Sequence, residues 1–331
     1  MRIIENNPPS NPKVSVLTPV CNTSAFLGEC LDSLLAQTFT DIEFICLNDG
    51  STDNSLDILL DYQKRDERIR VVDKPNSGYG ATMNLGISLA QGDYIGILES
   101  DDFAEPEMFS KLYRFAEWHD CDFLKCNYYE YSSEGNVKMH PYHWRPYYRV
   151  VDPRDDVTLA YEIPSIWAAL YQRSMILKNG IRFNETPGAS YQDTSFVFQC
   201  WATARRVAVL PDYLLHYRVD NAGSSVASSK KVFAVCDEYA LSQDYLDRDP
   251  ERKRVFGSAL HVIKFGTYKW NYNRVDEQSK REFACRMAEE YRAARAAGEL
   301  DSSLFDPGNW KVIEAFMNDV EAALLTYPEI P

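Results

Sequence analysis

The acids Glu99, Asp101 and Asp102 stand together in "LESDDF" (98–103), just after a short apolar segment. In extended chain, residues two apart point the same way, so Glu99 and Asp101 should present their carboxylates together. Three such groups repel one another unless something compensates. Hard divalent cations such as Mn2+ or Mg2+ take oxygen ligands, often one or two carboxylates completed by phosphate oxygens. Glu99, Asp101 and Asp102 are therefore candidate metal ligands. The competing expectation is that Asp101 or Asp102 caps the helix that begins near Pro106. Three acids exceed what a cap needs.

Other polar groups fall at similar places. In "LNDGSTDN" (47–54), Gly50 turns the chain and Ser51, Thr52 or Asp53 caps a helix, while Asp49 ends a strand and should face a cleft. A carboxylate there can accept from a base N–H or a ribose hydroxyl. "NSGYGATMNLG" (76–86) is a glycine-rich entry to a helix, and its amides suit either a phosphate or an ordinary turn. Asp193, in "YQDTSFVF" (191–198), opens a helix and reads equally as an N-cap or a general base. Arg218 and Asn221, with the hydroxyls of "AGSSVASS" (222–229), suit a diphosphate clamp or a polar linker. The five histidines form no spaced metal constellation.

The elements that must carry these groups alternate in period. Apolar runs at 14–20, 42–47, 69–72, 93–98 and 122–126 read as strands. Helical spacing fills 25–37, 51–65, 80–90 and 105–119, the last with Pro106 in its first turn. Continuous apolar strands between amphipathic helices predict a mostly parallel, Rossmann-like α/β sheet covered on both faces, with ligands at the carboxyl ends of the strands. Residues 128–225 read as mixed, with a helix near 192–204 and strands near 206–210 and 213–219. After residue 228 the pattern turns helical. The expected division is an α/β domain over 1–228 and a C-terminal helical region over 229–331. Within the first, 13–127 and 128–228 form two parts.

The chain has 331 residues, 45% hydrophobic and 25% charged, as in soluble globular proteins. A formal charge of -14 argues against nucleic acid, which needs a basic face, but not against a nucleotide whose phosphates a metal neutralises. The start is polar, no apolar run is long enough to span a bilayer, and Cys21, Cys46, Cys126 and Cys200 lie in apolar segments as buried thiols. A cytoplasmic chain is expected.

Four stretches, "VSVLTPVCN", "LNDGSTDNS", "NSGYGATMNLGISLAQGDYIGILESDDFAEP" and "YQDTSFVF", in this order, resemble the family 2 glycosyltransferases, inverting enzymes of the GT-A fold. The likeness covers about residues 13 to 228, and it implies that 1–228 is a catalytic domain with its nucleotide-sugar part over 13–127 and its acceptor side over 128–228. It implies that Thr18 and Pro19 line a base pocket and that Asp49 binds the base, usually uracil. It places Asn76, Gly78, Asn84, Glu99, Ser100 and Asp101 around the nucleotide sugar. It gives Asp101 to a divalent Mn2+ or Mg2+, with Asp102 and Glu99 beside it. Asp193 would be the catalytic base, and Trp167, Gln192, Arg218 and Ser224 would lie on the acceptor or diphosphate side. The sequence departs from the pattern at Cys21 (usually Tyr), Asn48 (usually acidic), Met83 (often Arg), Glu99 (usually Asp) and Gln192 (usually Glu).

The implied activity moves a sugar from a nucleoside-diphosphate sugar, commonly a UDP-sugar, to a hydroxyl of a saccharide or lipid-linked acceptor, in the synthesis of cell-surface polysaccharide or glycolipid. The alternatives are a non-catalytic nucleotide-sugar-binding relative and a nucleotide-sugar pyrophosphorylase. The basic glycine-rich loop of the latter is absent from "TPVCNTSAF". The basic, aromatic stretch 251–274 reads first as a core-packing helix with a solvated cationic face. Its second reading is a stripe resting on anionic lipid, as a peripheral contact with the inner membrane face.

Overall fold

The computed structural model describes residues 1–4, 11–221 and 231–331. The chain forms two compact units, Met1–Asp155 with Glu162–Gly223, and Asp156–Tyr161 with Ser224–Pro331.

The first unit is built on one mixed sheet. Its strands are β1 (Arg2–Ile4), β2 (Val14–Val20), β3 (Ile42–Asp49), β4 (Ile69–Lys74), β5 (Tyr94–Ile97), β6 (Phe103–Ala104), β7 (Phe123–Ser132), β8 (Gly135–Met139), β9 (Ala169–Gln172) and β10 (Val207–Arg218). They lie in the order β1-β4-β3-β2-β5-β9-β7-β10-β6, with β8 on β7. The run β4-β3-β2-β5 is parallel, as is the pair β7-β10. All residues of β2, β3 and β5 are buried, as continuous apolar runs between two helical layers should be. The helices are α1 (Ser24–Leu35), α2 (Ser55–Arg65), α3 (Tyr79–Leu89), α4 (Met108–His119), α5 (Arg173–Asn179) and α6 (Gln192–Thr203).

Two expectations are corrected, and one strand was not foreseen. The strands near 206–210 and 213–219 are one strand, β10, whose register on β7 shifts around Pro211 and Tyr213, where a proline cannot donate to the ladder. Strand β9 enters antiparallel between β5 and β7. Helix α4 begins at Met108, so Pro106 precedes it, and neither Asp101 nor Asp102 caps it because β6 intervenes.

The second unit contains helices α7 (Ala234–Asp247), α8 (Pro250–Arg274), α9 (Glu277–Ala296), α10 (Pro307–Asn318) and α11 (Val320–Thr326). Its core is aromatic, with Tyr239, Tyr245, Tyr268, Tyr272, Tyr291, Phe265, Phe283 and Phe316 buried. Many cations of 251–274 are absorbed here. Lys264 is buried and paired with Glu290, and Lys253 bridges Asp247 and Glu299 at 2.8 and 2.7 Å. This is the core-packing arrangement, with Lys264 turned inward to a carboxylate and Lys253 paired at the surface. No helix among the described residues is long and apolar enough to cross a membrane.

Candidate active site

The loops after β2, β3, β4 and β5 meet at the carboxyl edge of the parallel strands. Asn22, in left-handed backbone at φ 56°, ties the first two together: its Oδ1 accepts from the Thr52 amide at 2.7 Å and the Asp53 amide at 3.3 Å. Asp53 accepts from the amides of Ser24 and Ser55, both at 3.0 Å, and its pKa is held down to about 2 by these bonds against the opposing effect of burial.

Asp49 does not stand open to the cleft. Its side chain is buried, ion-paired with Lys74, and accepts from the amides of Ser77 at 2.8 Å and Gly78 at 3.1 Å. It shapes the glycine-rich loop from below. Asn76 donates to the Asp49 carbonyl at 2.9 Å and lies 3.5 Å from Cys21 Sγ. Cys21 is exposed, contrary to the expected buried thiol, because β2 ends at Val20 and releases it to the loop. Thr18, Pro19 and Ser100 are buried, and the Ser100 hydroxyl accepts from Thr23 at 3.0 Å.

The glycines of "NSGYG" serve packing, not an open phosphate cradle. Gly78 sits at φ 91°, and a Cβ there would lie 2.8 Å from the Thr186 carbonyl oxygen. A Cβ on Gly80 would come 1.8 Å from the Asn184 carbonyl oxygen. The segment 183–190 therefore lies on the start of α3. Asn84 fixes it by accepting from the Phe183 amide and donating to the Phe183 carbonyl, each at 2.9 Å. Gln192, buried, fixes it from the other side through Thr186 at 2.9 Å and the Gly188 carbonyl at 3.2 Å. Asn84 and Gln192, expected at the ligand, both position this segment.

Tyr191 is left-handed at φ 61° at the N-cap of α6, a costly conformation for a tyrosine. It delivers Asp193 into the first turn, where the Thr194 amide donates to Asp193 Oδ1 at 2.9 Å. Burial raises the Asp193 carboxyl to about 6, against the amide bonds and the charge of Lys125. The Tyr79 phenol donates to Glu99 Oε1 at 2.6 Å. Burial pushes Glu99 up to about 8; the Tyr79 bond opposes this, and the charges of Asp101 and Asp193 add to it. Glu99 thus joins the acidic run to the start of α3.

Asp102 is buried, with Oδ1 accepting from the Arg218 amide at 2.8 Å and Oδ2 left without a partner. Burial and the charge of Asp101 raise its carboxyl well above the usual range. Asp101 is half-buried and accepts from Asn221 at 2.7 Å. The Arg218 guanidinium is committed to Glu29 and to the Asp101 carbonyl at 2.9 Å, and it lies over the rings of Phe26 and Tyr131 at 4.8 and 4.7 Å. Arg218 therefore secures the acidic loop and is not a free diphosphate clamp. Ser224 lies outside the described residues.

An orphaned buried carboxylate oxygen beside crowded acids fits a divalent cation held by Asp101 with Asp102, the remaining ligands coming from phosphate and water. Glu99 does not complete a third ligand. Its carboxylate is engaged by Tyr79, and among the described residues no three His, Cys, Asp or Glu side chains are arranged around a common ion position.

Trp167 stacks on Tyr217 with ring centroids 4.8 Å apart and meets Tyr128 edge-on at 4.6 Å. Two residues before it, Ser165 accepts from the fully buried Lys125 through its hydroxyl at 2.8 Å and through its carbonyl. Sequence reading missed Tyr79 and Lys125. The signal for Lys125 was a lysine inside the apolar run "DFLKC".

Residues 15–178 match the model described as Glycosyl transferase family 2. Over 213 residues the chain is 36% identical to the uncharacterized glycosyltransferase EpsJ of Bacillus subtilis, covering 62% of this chain and 61% of that one. The chain spans about six tenths of the length of the first curated relatives it matches. In three dimensions it is similar to residues 1–349 of S. aureus TarS in complex with UDP, with TM-score 0.71, 20% identity, and coverage of 93% and 92% of the two chains. It is also similar to the mannosyltransferase PcManGT of Pyrobaculum calidifontis in complex with GDP-Man and Mn2+, with TM-score 0.55, 16% identity, and coverage of 99% and 85%. These likenesses give the fold, GT-A.

Proposed function

This chain belongs to glycosyl transferase family 2 through residues 15–178, and on that premise we propose that it is an inverting glycosyltransferase using a nucleoside-diphosphate sugar. UDP is the favoured nucleotide, by likeness to the UDP-bound TarS structure. The acceptor is a hydroxyl of a saccharide or lipid-linked saccharide in cell-surface polymer synthesis, and the work is done on the cytoplasmic side. The observation that carries the reading is the acidic loop after β5, where buried Asp102 keeps an unpartnered carboxylate oxygen beside Asp101 and Glu99 is held by Tyr79.

Inversion needs one displacement at the anomeric carbon. Asp193 removes the proton from the acceptor hydroxyl as it attacks, a contribution of about 10²–10⁴-fold. The sugar carbon becomes oxocarbenium-like, so nearby carboxylate charge favours the transition state. We assign Glu99, tied to Tyr79, to the donor-sugar side. Asp49 and Asn76 hold the loop that meets the nucleotide, with Cys21 at its edge. A divalent ion on Asp101 and Asp102 would offset the charge gathering on the departing diphosphate. Trp167 and Tyr217 form the aromatic wall on the acceptor side.

One observation favours a binding-only relative: Arg218, the expected diphosphate cation, is already committed. Incubation with a panel of nucleotide sugars and Mn2+, with free nucleotide measured with and without saccharide acceptors, separates the two. Release of UDP and an inverted glycoside is expected; donor binding without turnover would leave the binding-only reading.

A further inference from the structure

Lys125 lies in the middle of β7 and is 0% exposed. Placing an ammonium there is costly unless it does something that an apolar side chain would not. Its Nζ donates to the Ser165 hydroxyl and carbonyl, two residues before Trp167. On the strand it shares a face with Phe123, and its Nζ lies 5.9 Å from the centre of that ring. Phe123 meets Trp201 of α6 edge-on at 4.8 Å. On the neighbouring strand, Tyr171 pairs with Phe123 and meets Phe196, one turn beyond Asp193, at 5.4 Å. Helix α6 therefore lies over the face that carries Lys125, with Asp193 at its first turn.

We propose that Lys125 is a positioning residue for the transfer reaction: its buried ammonium anchors the 163–167 segment through Ser165 and supplies positive charge to the strand face that α6 covers, where Asp193 lies in the first turn. This rests on the reading of Asp193 as the base.

The groups that act on Asp193 come from every element around it. Burial opposes its ionisation, while the Thr194 amide of α6 and Lys125 of β7 favour it, and its charge in turn raises Glu99 of the acidic loop. Tyr79 of α3, Tyr171 of β9 and Tyr217 of β10 also feel its charge. Among these side chains Lys125 is the cation. Burial lowers it to about 7, with Cys126, Cys200 and Asp193 pulling the other way, so it is charged across the range in which Asp193 titrates.

The test reads Asp193 directly. Protein labelled with 13C at aspartate carboxyls is titrated by NMR, with the Asp193 signal identified by its loss in Asp193→Asn. In Lys125→Met, an isosteric change, the Asp193 midpoint is expected to rise by about one pH unit, and the acid limb of transfer should move with it. Lys125→Arg keeps the charge if the methionine variant does not fold, and should leave the midpoint at or below the wild-type position. An unchanged midpoint in Lys125→Met, or an upward shift in Lys125→Arg, overturns the inference. If the shift appears but wild-type protein transfers no sugar, the proposed function fails and the electrostatic role of Lys125 stands.

Discussion

The Tyr79 phenol donates a 2.6 Å hydrogen bond to Glu99 Oε1, fastening the first acid of the acidic run to helix α3. The methylene that distinguishes Glu99 from aspartate is what lets it reach. Glu99→Asp should break this bond and lower transfer about tenfold, the worth of roughly 1–2 kcal/mol for a bond to an ionisable group. The Mn2+ concentration giving half-maximal rate should stay the same, whereas Asp101→Ala should raise it or abolish activity. Metal titrations of initial rate check both; a metal requirement that rises in Glu99→Asp would return Glu99 to the ion.

Gly80 carries no side chain because the backbone at Asn184 occupies the space, 1.8 Å from where a Cβ would stand. Gly80→Ala must push the 183–190 segment off α3. A loss of about 1–3 kcal/mol is expected, with faster amide exchange confined to 183–192. Urea unfolding and hydrogen exchange measure the two effects, and unaltered protection there would refute the packing role.

Lys125 gives a stability signature of its own. Its folded-state pKa is lowered to about 7 from an ordinary 10.5, so between these values the unfolded chain binds more protons than the folded one. Stability must therefore rise with pH across this window, by at most about 1.4 kcal/mol per pH unit from this group. Lys125→Met should lose that slope. Urea midpoints of both proteins at pH 7 and pH 9.5 give the difference; parallel behaviour would mean that Lys125 keeps its ordinary basicity.

Asp193, raised to about 6 by burial, works as a base only when ionised. The transfer rate should rise with pH through about 6 and fall close to tenfold per unit below it. Rate profiles under saturating donor provide the check. A profile flat down to pH 5 would contradict it.

The parallel strands were legible because each is buried on both faces and reads as an unbroken apolar run, as in "VSVLTPV" and "IEFICL". Strands β6 and β9 were not, since two and four residues carry no periodicity. The acids at the strand ends were legible too, but their duties were not. Asp49 sits where a base-binding carboxylate would, yet Lys74 and two backbone amides engage it. Arg218 has the chemistry of a phosphate clamp, but Glu29, nearly two hundred residues earlier in the chain, claims it. Such long-range partners leave no trace in local spacing. Lys125 did leave one, because a lysine in an otherwise apolar strand calls for a partner.

In the proposed reaction Asp193 deprotonates the acceptor. Asp193→Asn keeps the shape and the helix-start position while removing the base. Donor affinity and transfer, measured on the same preparation with a UDP-sugar and Mn2+, should separate: binding within about twofold of wild type, and transfer reduced by about 10²-fold or more. Transfer near the wild-type rate in Asp193→Asn would contradict the assignment.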